Sequence, residues 1–223
     1  MNTKFEKYSI QISTPDQFTP PEDRLRKSDH TWHGAAIMWH ESLNSNVQNI
    51  CNTHERFTGI KLNFQGQHFL AIAAYLPTSG KDDEFLDCLD QLTDFIQENS
   101  SDGSTILIGT DSNCSPKSTP RRLSGFQQFC QDHELTKVCL SLPTFHHSNG
   151  MSSSNIDYFL LSHKYSQTHK LSKTFSQCTQ DFPENFSSHD PAFATQQIPG
   201  VTHSTALEKY THTVTLLKQS NLG

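Results

Sequence analysis

Apolar positions along the chain follow two periods, one of strands and one of helices. The run Phe69-Leu70-Ala71-Ile72-Ala73-Ala74-Tyr75 is apolar on both faces. It predicts a strand over Gln67 to Tyr75, buried on both sides at the centre of a sheet. Arg56 to Asn63 predicts its neighbour, with Gln65-Gly66 as the hairpin turn. Beyond Pro77-Thr78-Ser79-Gly80, Phe85, Leu89, Leu92 and Ile96 recur at helical spacing, joined by Leu86 and Phe95. Asp82, Asp83 and Glu84 precede them, where the positive end of a helix favours acids. Thr105 to Gly109 predicts a further buried strand. Thr119-Pro120 predicts a second helix, with Thr119 as N-cap and Pro120 at the first helical position. Its inner face would carry Leu123, Phe126, Phe129 and Cys130.

Shorter strands are predicted at Tyr8 to Ile12, Ala35 to Trp39, Lys137 to Leu140, Ile156 to Leu161, Leu171 to Ser176 and Ala192 to Gln197. An amphipathic helix is predicted through Ala206, Leu207, Tyr210, Val214 and Leu217. Helices alternating with strands and hairpins predict an α/β sandwich of two sheets rather than a purely parallel sheet. Residues 1–31 read as an irregular N-terminal segment, 32–199 as one domain, and 200–223 as a tail or linker.

Composition narrows the picture. A hydrophobic share of 33% and no apolar run of the roughly 18 residues that span a bilayer argue against a membrane-spanning helix. The first residues lack the apolar core of a secretory signal, so an intracellular protein is expected, with nucleus and cytoplasm both open. The six cysteines form no CxxC pair, which predicts free thiols packed as small core residues and no zinc site. A net charge of −6 is the wrong sign for wrapping long nucleic acid and leaves room only for a local basic face.

Candidate chemistry gathers at strand ends. Asp111 and Asn113 follow an apolar strand and would share one side of an extended continuation. The same Asp-x-Asn pattern also serves as a turn or cap. Asp157 lies in the apolar run Ile156-Asp157-Tyr158-Phe159-Leu160-Leu161, where a carboxylate requires a compensating partner. His189 is one candidate, since a carboxylate on one imidazole nitrogen fixes the tautomer and leaves the other nitrogen for substrate. Backbone amides are the other. Tyr75 closes the central strand with its hydroxyl within reach of the surface.

In order, Gly34-Ala35-Ala36-Ile37-Met38-Trp39, Ala74-Tyr75-Leu76-Pro77, Gly109-Thr110-Asp111-Ser112-Asn113, Pro143-Thr144-Phe145, Ser154-Asn155-Ile156-Asp157-Tyr158 and Ser188-His189-Asp190-Pro191 form a series. It resembles the signatures of the endonuclease/exonuclease/phosphatase superfamily, especially the abasic-site-like endonucleases of non-LTR retrotransposons. The resemblance covers roughly Trp32 to Gln197. It implies a four-layer α/β sandwich, two mixed β-sheets flanked by helices, with one Mg²⁺-dependent phosphodiester site at the strand ends. DNA, held through its phosphate backbone, is the implied substrate. Carried over residue by residue, it implies that His189 paired with Asp157 stabilises phosphate charge. Asp111 would orient or deprotonate the attacking water and serve as the metal ligand. Asn113 and Tyr75 would hold phosphate oxygens.

This sequence departs from the family pattern in three places. The family's first strands, which carry an Asn and a Gln-Glu pair whose Glu is the principal magnesium ligand, have no counterpart, so an N-terminal truncation relative to the family is expected. Ser188 stands where the family has the Asp of Ser-Asp-His, with Asp190 two residues on. Thr78 stands where abasic-site enzymes carry Asn. A weak Mg²⁺ site is therefore expected, with Mn²⁺ as a substitute. Three functions remain open: a DNA-nicking endonuclease of retrotransposon type, impaired by the truncation; an inactive remnant serving as a nucleic-acid or protein interaction module; and a phosphatase acting on a small phosphoester.

Overall fold

The computed structural model describes residues 7–13, 34–49, 54–64, 66–100, 103–138, 143–146, 152–163, 169–174 and 192–196. At its centre is a six-stranded sheet. Its strands are β3 (Val47–Asn49), β4 (Phe57–Phe64), β5 (Gln67–Tyr75), β6 (Thr105–Asp111), β7 (Leu135–Val138) and β10 (Asp157–Ser162), in the order β3-β4-β5-β6-β10-β7. Only β5 and β6 run parallel, which requires a long crossover, and α1 (Asp82–Asn99) supplies it. All other pairs in the sheet are antiparallel.

Each strand divides its side chains between two layers. Leu70, Ile72, Ala74, Ile106, Ile108, Tyr158 and Leu160 share one core with Phe85, Leu92 and Ile96 of α1 and with Phe126 and Phe129 of α2 (Pro120–Asp132). The two helices pack closely, since a Cβ added at Gly125 of α2 would collide with the Leu86 side chain. On the opposite face, Ala71 and Ala73 join Ile60 and the Ala35 and Ile37 side chains of β2 (Ala35–His40). That strand pairs antiparallel with β1 (Tyr8–Ser13), so a small second sheet covers this side. Two further pairs complete the α/β arrangement: β8 (Phe145–His146) with β9 (Ser153–Ser154), and β11 (His169–Thr174) with β12 (Ala192–Gln196).

Most elements predicted from periodicity are present. The central strand has the predicted bounds. The first helix begins at the three acids, and Thr119 caps the second by accepting from the Arg122 amide. The edge strand β3 and the short pair β8–β9 carry too few residues for a period to register. Residues 139 and 140, and the helix predicted near 206 to 217, lie outside the described residues.

Cys88, Cys114 and Cys130 are free thiols, as predicted. Burial pushes Cys88 up to about 12 and Cys130 to about 11, so both stay protonated and inert near neutrality. Among the described residues no helix is long and apolar enough to cross a membrane.

Candidate active site at the strand ends

The sheet register brings three of the predicted site residues into one row. Tyr75 is laterally paired with Asp111, and Asp111 with Asp157. The three close β5 and β6 and open β10, and alternation turns them away from the helices, since Ala74, Ile108 and Tyr158 face the helical core. The Ser112 amide donates to the Ile156 carbonyl at 2.7 Å. That bond makes 112 and 156 the hydrogen-bonded pair, so Asp111 and Asp157 form the narrow pair, with Cα atoms about 4.5 Å apart in antiparallel geometry. Two carboxylates thus leave the sheet side by side. Asp111 is buried, whereas Asp157 is half-buried at the strand's first position and not deep in the apolar run that surrounds it in sequence.

Asn113 does not continue the strand. Its φ of 48° is left-handed, a conformation Asn tolerates better than most residues. Its amide N–H donates to Asp111 Oδ1 at 3.2 Å, so the turn alternative describes the local backbone and the side-by-side placement expected of an extended segment does not hold. The residue still reaches the row by another route. Its Nδ2 donates to the Leu76 carbonyl at 2.8 Å, and its side chain also hydrogen-bonds Tyr75.

Tyr75 stands in a charged setting. Burial first, and then the Asp111 carboxylate, push its hydroxyl above the ordinary 10.0, against the opposing pull of Arg56 and the Asn113 side chain. It therefore stays a neutral donor across the physiological range. Arg56 is itself buried, with its guanidinium 6.0 Å from the Tyr75 ring centroid and an ion pair to Glu55 at 3.8 Å. The sequence placed Arg56 only as the start of a strand. The unusual element is a buried arginine, and burial is not visible in the sequence.

Thr144, within the Pro-Thr-Phe motif, braces the Asp157 strand. It is fully buried, and its hydroxyl accepts from the amides of Ile156 at 3.4 Å and Asp157 at 3.2 Å. Tyr158 ties the same segment down by donating to the Asn155 carbonyl at 2.5 Å. His189, together with Ser188 and Asp190, lies outside the described residues.

The donor set bears on the implied magnesium ion. Asp111 and Asp157 offer hard oxygens on one face, and Mg²⁺ is commonly held by one or two carboxylates with water and substrate phosphate completing the shell. The Asp111 and Asp157 pair fits a site of that kind. Among the described residues no cluster of three or more His, Cys, Asp or Glu could hold a metal.

No family model matches the sequence, and no curated protein matches it. Solved structures do. The endonuclease domain of TRAS1, a telomere-specific non-LTR retrotransposon, aligns with a TM-score of 0.58 at 12% identity, over 86% of this chain and 81% of that one. An AP endonuclease from Archaeoglobus fulgidus aligns with a TM-score of 0.57 at 14% identity, over 86% and 89%. The 3′ phosphatase NExo from Neisseria, bound to a product DNA hairpin, aligns with a TM-score of 0.58 at 18% identity, over 86% and 89%. The chain has the endonuclease/exonuclease/phosphatase fold.

Proposed function

We propose that this protein hydrolyses phosphodiester bonds as a Mg²⁺-dependent, DNA-nicking endonuclease of retrotransposon type. The observation that carries the reading is the row Tyr75, Asp111 and Asp157 on three neighbouring strands, with Asn113 bonded into it. Supporting it, proteins of the same fold include a retrotransposon endonuclease and an AP endonuclease, and one is bound to a DNA hairpin product.

In this reading Asp111 orients the attacking water, takes its proton, and is the residue that would hold the ion. By the family resemblance, His189 would pair with Asp157 and stabilise the charge on the phosphate. Tyr75, kept protonated by its surroundings, donates to a phosphate oxygen, and the Asn113 amide bonded beside it is the second phosphate contact. A bound Mg²⁺ would neutralise phosphoryl charge. Donors fixed in advance around that charge are the largest contribution such a site makes.

The test is nicking of supercoiled plasmid with Mg²⁺ or Mn²⁺ by the intact chain, Asp111→Ala and His189→Ala. Metal-dependent nicking that both substitutions abolish is the expected result. Equal background in all three would overturn the nuclease reading and leave an inactive interaction module. Turnover of a small phosphoester with no nicking would point to a phosphatase.

A further inference from the structure

Among the described residues Arg122 is the most completely buried charged side chain, at 1% exposure, and the site described above does not use it. It lies in the first turn of α2, where the helix dipole disfavours a cation and where no acid accompanies it. Burying a guanidinium carries a large desolvation cost before pairing, and an apolar side chain of similar volume is often at least as stabilising. Stability alone is therefore a poor account of an arginine at this position.

Its contacts supply a different account. Nε donates to Asp82 Oδ1 at 3.0 Å. The terminal nitrogens donate to the carbonyls of Pro77 at 2.7 Å, Thr78 at 2.8 Å and Asn113 at 3.2 Å. The guanidinium lies 4.1 Å from the Phe85 ring centroid, which fixes its plane. Pro77 and Thr78 follow β5, the strand that ends at Tyr75, and Asn113 follows β6, the strand that ends at Asp111. One planar fork thus spans the two loops that emerge beside the site. The Asn113 side chain crosses the same gap in the other direction, to the Leu76 carbonyl.

We propose that Arg122 is a positioning residue, holding the loops after Tyr75 and Asp111 at the separation that lets Tyr75, Asp111 and Asn113 act on one phosphate. The inference rests on the phosphodiesterase reading for its catalytic consequence. Its structural content, the coupling of the two loops, stands on the hydrogen bonds alone. Lysine cannot replace the fork, because a single ammonium does not present the same planar set of donors to three carbonyls.

The experiment compares the intact chain with Arg122→Met, Arg122→Lys, Asp82→Asn and Arg121→Ala, by nicking kinetics and by amide hydrogen exchange. Arg121 lies beside Arg122 on the same helix but is exposed, paired with Asp83 at 2.6 Å, and serves as the control. Arg122→Met and Arg122→Lys should lower kcat by between about tenfold and a hundredfold, the scale of a misplacement of about 1 Å, with KM nearly unchanged. Exchange should quicken at the Leu76 and Ser112 amides while the rest of the central sheet keeps its protection. Asp82→Asn should shift both readouts in the same direction but less, and it keeps the inference testable if the Arg122 variants do not fold.

Unchanged kcat in a folded Arg122 variant, or exchange that is unchanged or quickens uniformly, would overturn the proposal. A wild-type chain that does not nick would overturn the nuclease reading instead. The exchange comparison then decides the Arg122 role by itself, with loosening confined to the two loops supporting it.

Discussion

Asp111 and Asp157 are directly opposed across antiparallel β6 and β10, in the pair whose backbones do not bond to each other. Like charges placed in this way repel, typically by a few tenths of a kcal/mol. In the proposed site a bound cation would relieve that repulsion.

The two carboxylates should behave as one unit. Asp111→Asn and Asp157→Asn should each lower single-turnover nicking by about a hundredfold or more, the range for positioned acid-base groups. The double variant should be little worse than the poorer single one. Losses that multiply would show that the two act independently.

Tyr75 should titrate above the ordinary tyrosine value of 10.0. A raised folded value means that the neutral hydroxyl stabilises the fold below about 10. That contribution is lost as pH rises through the folded value. Asp111→Asn should bring the titration down and Arg56→Met should carry it further up, because the carboxylate raises it and the guanidinium lowers it. NMR of ring-labelled tyrosine, with the signal assigned by Tyr75→Phe, reads both shifts. Movement in the opposite directions would refute the assignment of charges around Tyr75.

Acid should weaken the fold through two histidines. Burial lowers His54, aided by Arg56 and opposed by Glu55 and Gln91, and burial lowers His133 against Asp132. Both are depressed from 6.5, so the neutral ring contributes stability above that pH. The contribution is lost as pH falls from 6.5 through the folded values. Urea midpoints should drop between neutral and mildly acidic pH, and His54→Gln with His133→Gln should reduce the drop. An equal drop in the double variant would place the acid sensitivity elsewhere.

Thr144→Val should leave the amides of Ile156 and Asp157 without their acceptor. The cost of orphaned buried donors is about 1 to 3 kcal/mol, read as a lower thermal midpoint. Nicking should fall with it, because Asp157 loses its brace. Thr144→Ser keeps the hydroxyl and should recover most of both. A Ser variant as impaired as Val would show that the methyl, not the hydroxyl, matters.

The sequence by itself determined the local elements. The two-faced apolar run over Phe69 to Tyr75, the 3.6-residue stripe of α1 and the Thr119-Pro120 start of α2 each express a constraint among residues a few positions apart. Such constraints are written in the chain and survive any change of neighbours. The motif series also picked out Tyr75 and Asp111, the last residues of β5 and β6, and Asp157, the first of β10, while Asn113 falls in the turn beyond β6.

Tertiary structure decided what those residues do to one another. Register fixed the row Tyr75, Asp111 and Asp157, and a slip of one residue would have turned Asp157 toward the helices and Tyr158 toward the site. The left-handed turn at Asn113 changed how that side chain arrives, and the burial of Arg56 and Arg122 came only from the packing of separate elements around them. For Arg122 alone, the Arg-Arg pair in the first turn of α2 is at odds with the helix dipole. Pairing partners and burial depend on segments distant in sequence, and no period within a segment encodes them.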